Sequence, residues 1–255
     1  MALRALDALE GVESTGVAAG YVEEAAAESE GDTAVALGAV RILGADVLAP
    51  YVLRHWVLPD EESYVIDLAL SALPPARPAP PPPPGGPEAP WLRAWADWGL
   101  VAALARVAPG HSSPHPAPLP EAPPVCDDAL PRRHPAVADP EDADLDGTAR
   151  EGWVSWAVRM AALAPLALPG LDGPVHASAR AGVTGLARGA CRSMLRRDFP
   201  TAARLARWLA WLHHEGVPLP LDPVPFTQHL TLLGVGGRLA LDTAIARELL
   251  REEPL

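Results

Sequence analysis

Residues Pro74 to Pro90 read PPARPAPPPPPGGPEAP. Each proline fixes its φ angle and lacks a backbone N–H, so the run is expected to be extended and polyproline-like, held by neither a helix nor a central strand. A second irregular segment, Pro109 to Asp146, is nearly as proline-dense and adds acidic residues.

Outside these two stretches the pattern is helical. Trp91, Trp95 and Trp98 recur at i, i+4 and i+7, which puts three indoles on one face of a helix over Trp91–Val107. Pro59 followed by Asp60, Glu61 and Glu62 reads as a helix start, with acids in the first turn facing the positive end of the helix dipole. That helix runs to Leu73. Val17–Ser29 is alanine-rich and acidic, Gly31 ends it, and Asp32 or Thr33 caps the next helix, Ala34–Leu43. Val47–Val57 follows Gly44.

Further helices are expected over Ala149–Leu163, Val175–Arg197 and Pro200–Glu215. Leu205, Trp208, Leu209 and Leu212 form the apolar stripe of the last of these. Val217–Pro225 is a third break, followed by helices over Phe226–Gly234 and Arg238–Glu253. Period-two alternation is missing, so no strand is expected. The fold class is all-α: an irregular multi-helix bundle of about nine helices with two long proline-rich irregular segments. In numbers, 1–73 is an N-terminal helical segment, 74–90 a linker, 91–108 the tryptophan-striped helix, 109–147 the proline- and aspartate-rich segment, and 148–255 the C-terminal helical segment. The three helical parts are expected to pack as one domain.

A hydrophobic content of 49% argues against a disordered chain. Thirty-two acidic residues against twenty basic ones, all arginine, leave a net charge of −12. Nucleic-acid affinity comes mainly from neutralised phosphates, so such a chain is not expected to bind nucleic acid. Cys126 and Cys191 make no disulfide framework and suit a reducing cytoplasm. The N-terminus has no basic region followed by an apolar run, so no signal peptide is expected. The heavy use of Ala, Pro, Gly and Arg fits a GC-rich bacterial gene. Trp153–Leu171 is apolar enough to consider as a membrane span, but Arg159, Pro165 and Pro169 favour an amphipathic helix, and a membrane partner is not expected.

Three constellations could carry chemistry. Asp142, Asp144 and Asp146, with Gly147 after them, match the opening of a calcium loop. The match fails where Arg150 and Trp153 stand in place of ligands, and capping of the following helix explains the same acids. Arg188, Arg192 and Arg196 recur every four residues, with Arg180 two turns earlier, and form a cationic face suited to carboxylates or phosphates, on an anionic ligand or an acidic partner. A solvated face, or pairing with the acidic N-terminal helices within one chain or between copies, explains them too. Finally, Trp95, Trp98, Trp153, Trp156, Trp208 and Trp211 could line a pocket or groove with His213 and His229, although indoles fill a core as readily. In the Trp208 helix, His213 is expected to face the core and His214 water. Zinc ligation by these histidines lacks the three or four convergent groups it needs.

No phosphate-cradling loop, nucleophile elbow or metal-binding helix motif is present, and no cofactor is expected. The sequence supports a non-catalytic helical binding, adaptor or assembly protein of a bacterial cytoplasm, with a protein partner and a possible homo-oligomer. The alternative is an all-α enzyme acting on a hydrophobic or specialised metabolite in a tryptophan-lined pocket, with Arg159 or a histidine supplying polarity.

Overall fold

The computed structural model describes residues 1–12, 16–72, 80–83, 85–109, 124, 148–233 and 235–251. It is all-helical, with no strand among the described residues. Two compact units divide the chain. One comprises Met1–Pro124 with Leu168–Leu171, the other Val125–Ala167 with Asp172–Leu255.

The first unit holds α1 (Ala2–Glu10), α2 (Val17–Glu28), α3 (Glu30–Leu43), a 3-10 turn over Gly44–Leu48, α4 (Ala49–Leu53), α5 (Asp60–Ala72) and α6 (Glu88–Val107). The cap of α3 is Ser29, whose Oγ accepts from Gly31 N at 3.2 Å, and not Asp32 or Thr33 as the sequence suggested. Ser29 is extended (φ −168°), so the helix breaks two residues before Gly31. α6 begins at Glu88, inside the proline run. Pro90 lies in its first turn, where a missing N–H costs nothing because no helical acceptor precedes it.

Trp91 and Trp95 are fully enclosed, and Trp98 nearly so. They meet edge to face, with centroids 6.3 and 5.4 Å apart, the offset geometry that aromatic quadrupoles favour. On the same helix Asp97 accepts a two-pronged pair from Arg41 of α3, at 2.7 and 2.6 Å, with both side chains buried.

Glu62 departs from expectation. The sequence placed it only as a first-turn acid of α5, yet it is fully buried. Its carboxylate accepts from Ala18 N at 3.0 Å and Ala19 N at 2.7 Å, so it caps α2 across more than forty residues of chain. A Cβ on Gly16 would run into Glu62 Oε1.

The second unit holds α7 (Thr148–Ala162), a 3-10 turn over Ala164–Leu166, α8 (Pro174–Ala181), α9 (Val183–Leu195), α10 (Phe199–His214), α11 (Pro223–Leu233) and α12 (Gly237–Arg251). α10 is its axis. Ala202, Ala203, Ala206 and Ala210 let neighbouring helices approach, while Leu205, Trp208, Leu209, Trp211 and Leu212 fill the space between them. Each enclosed leucine contributes about 1.5–3 kcal/mol. Trp208 Nε1 donates to Met160 O at 2.7 Å and Trp156 Nε1 to Ser178 Oγ at 3.0 Å, so both indoles also satisfy their polar atoms.

Three sequence expectations change in this unit. The expected helix over Val175–Arg197 is two helices, separated at Gly182. α11 starts at Pro223, inside the expected break, where Asp222 Oδ1 accepts from Val224 N at 2.9 Å. And His214, not His213, is the buried member of its pair. Among the described residues the expectation of about nine helices holds, with short extra segments created by such breaks.

One helical stretch among the described residues, Gly31–Leu53, is long and apolar enough to cross a membrane by length and composition. It lies elsewhere than the segment singled out from sequence, and 78% of its most apolar window is buried inside the protein.

Candidate functional site

The residues with open chemistry converge on one face of the second unit. Gly189 sits where α9 crosses α7 and α10. A Cβ there would come within 2.8 Å of Ala157 Cβ and 3.1 Å of Leu205 Cδ1, so the absence of a side chain lets the helices close up. Arg188 and Arg192, on the outer face of α9, and Arg196, its C-cap, are exposed to solvent. Trp153 on α7 is half-buried beside them.

Between these helices runs a cleft of about 250 Å³ lined by Trp153, Ala157, Gly189, Arg192, Arg196 and Leu205. It opens onto a shallower face of about 490 Å³ that adds Arg188, Cys191 and Leu195. Leu195 is 85% exposed and Val158, on the cleft wall, 56%. The site is therefore an apolar slot with a cationic, partly apolar rim.

No described carboxylate pairs with Arg188, Arg192 or Arg196. Asp198 lines the cleft, but its Oδ1 accepts from Thr201 N at 3.3 Å and caps α10. In a chain with twelve more acids than bases, three adjacent guanidinium groups are left without a counter-ion among the described residues.

Arg180 does not belong to this face. The break at Gly182 places it on α8, where it donates to Asp172 Oδ1 and Glu215 Oε2, each at 2.9 Å, and lies over the Trp211 ring at 4.8 Å. Burial works to raise the Asp172 carboxyl, yet Arg180's hydrogen bonds and charge hold it below its ordinary value.

The sequence-derived pocket residues are distributed differently. Trp95 and Trp98 belong to the first unit, and Trp153, Trp156, Trp208 and Trp211 to the second. Trp95, Trp208 and Trp211 present no surface to solvent and Trp156 almost none, so of the candidate indoles in the second unit only Trp153 reaches a cleft. His213 and Arg159 are half-buried and His229 is exposed. No cluster of three or more metal-ligating side chains occurs among the described residues. Asp142, Asp144 and Asp146 lie outside them.

Sequence reasoning passed over His176. It is fully buried against Trp208 and Trp211, at centroid distances of 5.5 and 5.1 Å, with Nε2 2.9 Å from Leu166 O. Burial lowers its pKa to about 4, so the ring is neutral at physiological pH. It also passed over Gly189, Leu195 and Val158. A glycine in mid-helix opposite an arginine stripe was the one available signal for the cleft.

Comparison with protein-family models, with curated proteins and with solved structures finds no match for this chain.

Proposed function

We propose that this is a non-catalytic helical binding or adaptor protein whose partner docks on the α7–α9 face. One observation carries the reading: Arg188, Arg192 and Arg196 have no described counter-ion and flank a half-buried indole and an exposed leucine, in a strongly acidic chain. An apolar slot ringed by charge is the anatomy of a protein interface core with its rim. The enclosed Trp95 and Trp208 leave little for the enzyme reading to use. The exposed Cys191 suits a reducing cytoplasm.

Native mass spectrometry of the protein purified from its own host tests this. A co-purifying polypeptide is expected with the wild type and lost with the triple variant R188E/R192E/R196E. A complex that survives the triple variant unchanged removes the face from the account.

A further inference from the structure

The same face constrains the chemistry of its occupant. Arg188 and Arg192, one turn apart on α9, stand about 5–6 Å from each other, and Arg196 follows at the helix C-cap, about a turn further on. Alternate residues of an extended peptide are spaced by about 6.6–6.8 Å, and i, i+4 residues of a helix by about 6 Å, so carboxylates on either form match the stripe. Guanidinium accepts a carboxylate through two parallel hydrogen bonds.

Charge alone does not fill the slot, whose floor is Ala157, Gly189 and Leu205 and whose wall is Trp153. Its size suits a single bulky side chain.

Other polyanions fit less well. Duplex binders make about 6–10 phosphate contacts and lipid-binding basic clusters use about 4–8 basic residues. Here only three arginines without a described counter-ion line the face, fewer than either class of ligand uses.

We infer that the occupant is an acidic peptide segment of a partner protein carrying one bulky apolar residue. That residue enters the cleft beside Trp153, and flanking carboxylates pair with Arg188, Arg192 and Arg196. The inference rests on the preceding reading that this face is the docking site, and adds the chemical class of what docks.

The test uses the full chain and a short fluorescein-labelled peptide of glutamates and aspartates around a central phenylalanine, followed by fluorescence anisotropy. Saturable binding is expected. It should weaken at least about tenfold for R192E/R196E, and again when NaCl rises from about 0.05 M to about 0.5 M. Replacing the probe's phenylalanine by glycine should also weaken it. Trp153→Ala should do the same. Leu195→Glu, at a position too exposed to threaten folding, provides a second variant with the same expected loss, and circular dichroism checks that both retain helix.

Equal binding of the phenylalanine and glycine probes overturns the anchored-peptide inference, as does no binding at the highest soluble concentration. Tighter binding of a single-stranded oligonucleotide or of vesicles containing anionic lipid overturns it in favour of those ligands. Concentration-dependent self-association that R192E/R196E abolishes would assign the face to a second copy instead. If the probe fails while host-purified protein still loses its partner through R188E/R192E/R196E, the inference falls and the docking face stands.

Discussion

Arg207 on α10 and Asp242 on α12 face each other with Nη1 3.4 Å from Oδ1, and neither side chain is more than 1% exposed. Arg207 also donates to Ala167 O and Pro165 O, each at 3.2 Å, so one guanidinium ties a 3-10 turn and two helices together. Asp242 in turn accepts from Arg238 through both oxygens at 3.1 Å, with Arg204 at 3.8 Å. One buried carboxylate is thus shared among three guanidinium groups.

That asymmetry sets the first prediction. Breaking a buried pair by removing one partner costs about 3–5 kcal/mol. Asp242→Ala should fall at the upper end, because it leaves Arg207 and its neighbours facing one another. Arg207→Met should cost less, because Asp242 keeps Arg238. Urea unfolding followed by circular dichroism measures both, and equal losses would contradict the shared-carboxylate arrangement.

Glu62 gives the second. Burial, the largest influence, raises its carboxyl above the ordinary 4.5. The Ala18 and Ala19 amides pull it back in part, and Glu61 pushes it further up. A raised folded-state pKa means that the folded chain holds this proton more tightly. Glu62's contribution is therefore whole below 4.5 and declines as pH rises through the folded value. Glu62→Gln should flatten that part of the pH–stability curve. Glu62→Ala, which leaves two buried N–H groups unmet, should cost about 2 kcal/mol or more at any pH. Gly16→Ala, whose Cβ collides with Glu62 Oε1, should resemble Glu62→Ala.

His176 should act with the opposite sign. Its folded pKa of about 4 lies below the ordinary 6.5 because burial disfavours the charged ring. The unfolded chain takes up the proton first, so stability is whole above 6.5 and declines as pH falls from there towards 4, by about 3 kcal/mol in total. Near-UV circular dichroism, dominated by the tryptophans, should show acid loosening beginning below pH 6.5 in the wild type. A His176→Phe variant should lack that step.

The reach of the sequence follows the range of the interactions. The indole stripe Trp91, Trp95, Trp98 and the Leu205–Leu212 stripe were legible because helical period alone places them. Glu62 was not, because its partners Ala18 and Ala19 lie more than forty residues away and its own neighbours spell an ordinary helix start. Nor was the break at Gly182. A glycine inside a helix costs only about 1 kcal/mol, so the sequence cannot say which glycine interrupts. The consequence reached the site, since that break moved Arg180 off the cationic face. Arg188, Arg192, Arg196 and Trp153 were each legible as candidates, but their meeting in one cleft depends on Gly189 closing α9 onto α7.

Gly189 supplies a fourth prediction. Gly189→Val would push α9 away from Ala157 and Leu205, costing about 1–3 kcal/mol through overpacking. It should also weaken the acidic-peptide binding, because the slot floor is displaced. Stability unchanged by the added side chain would contradict the close crossing.

Arg197, at the turn into α10, adopts φ 58°, a left-handed conformation that glycine tolerates better. Arg197→Gly should therefore be neutral or stabilising by up to about 1 kcal/mol, read from the urea midpoint.

The central claim, that the α7–α9 face receives a partner, is tested most directly by site-specific photo-crosslinking in the host. A photoreactive residue is placed at Leu195 or, as control, at Leu232 on α11, positions of matched exposure at 85% and 84%. A discrete polypeptide adduct at position 195, absent at 232 and abolished by R192E/R196E, is the predicted result. Adducts of equal yield at the two positions, or an adduct at 195 that persists in R192E/R196E, would contradict it.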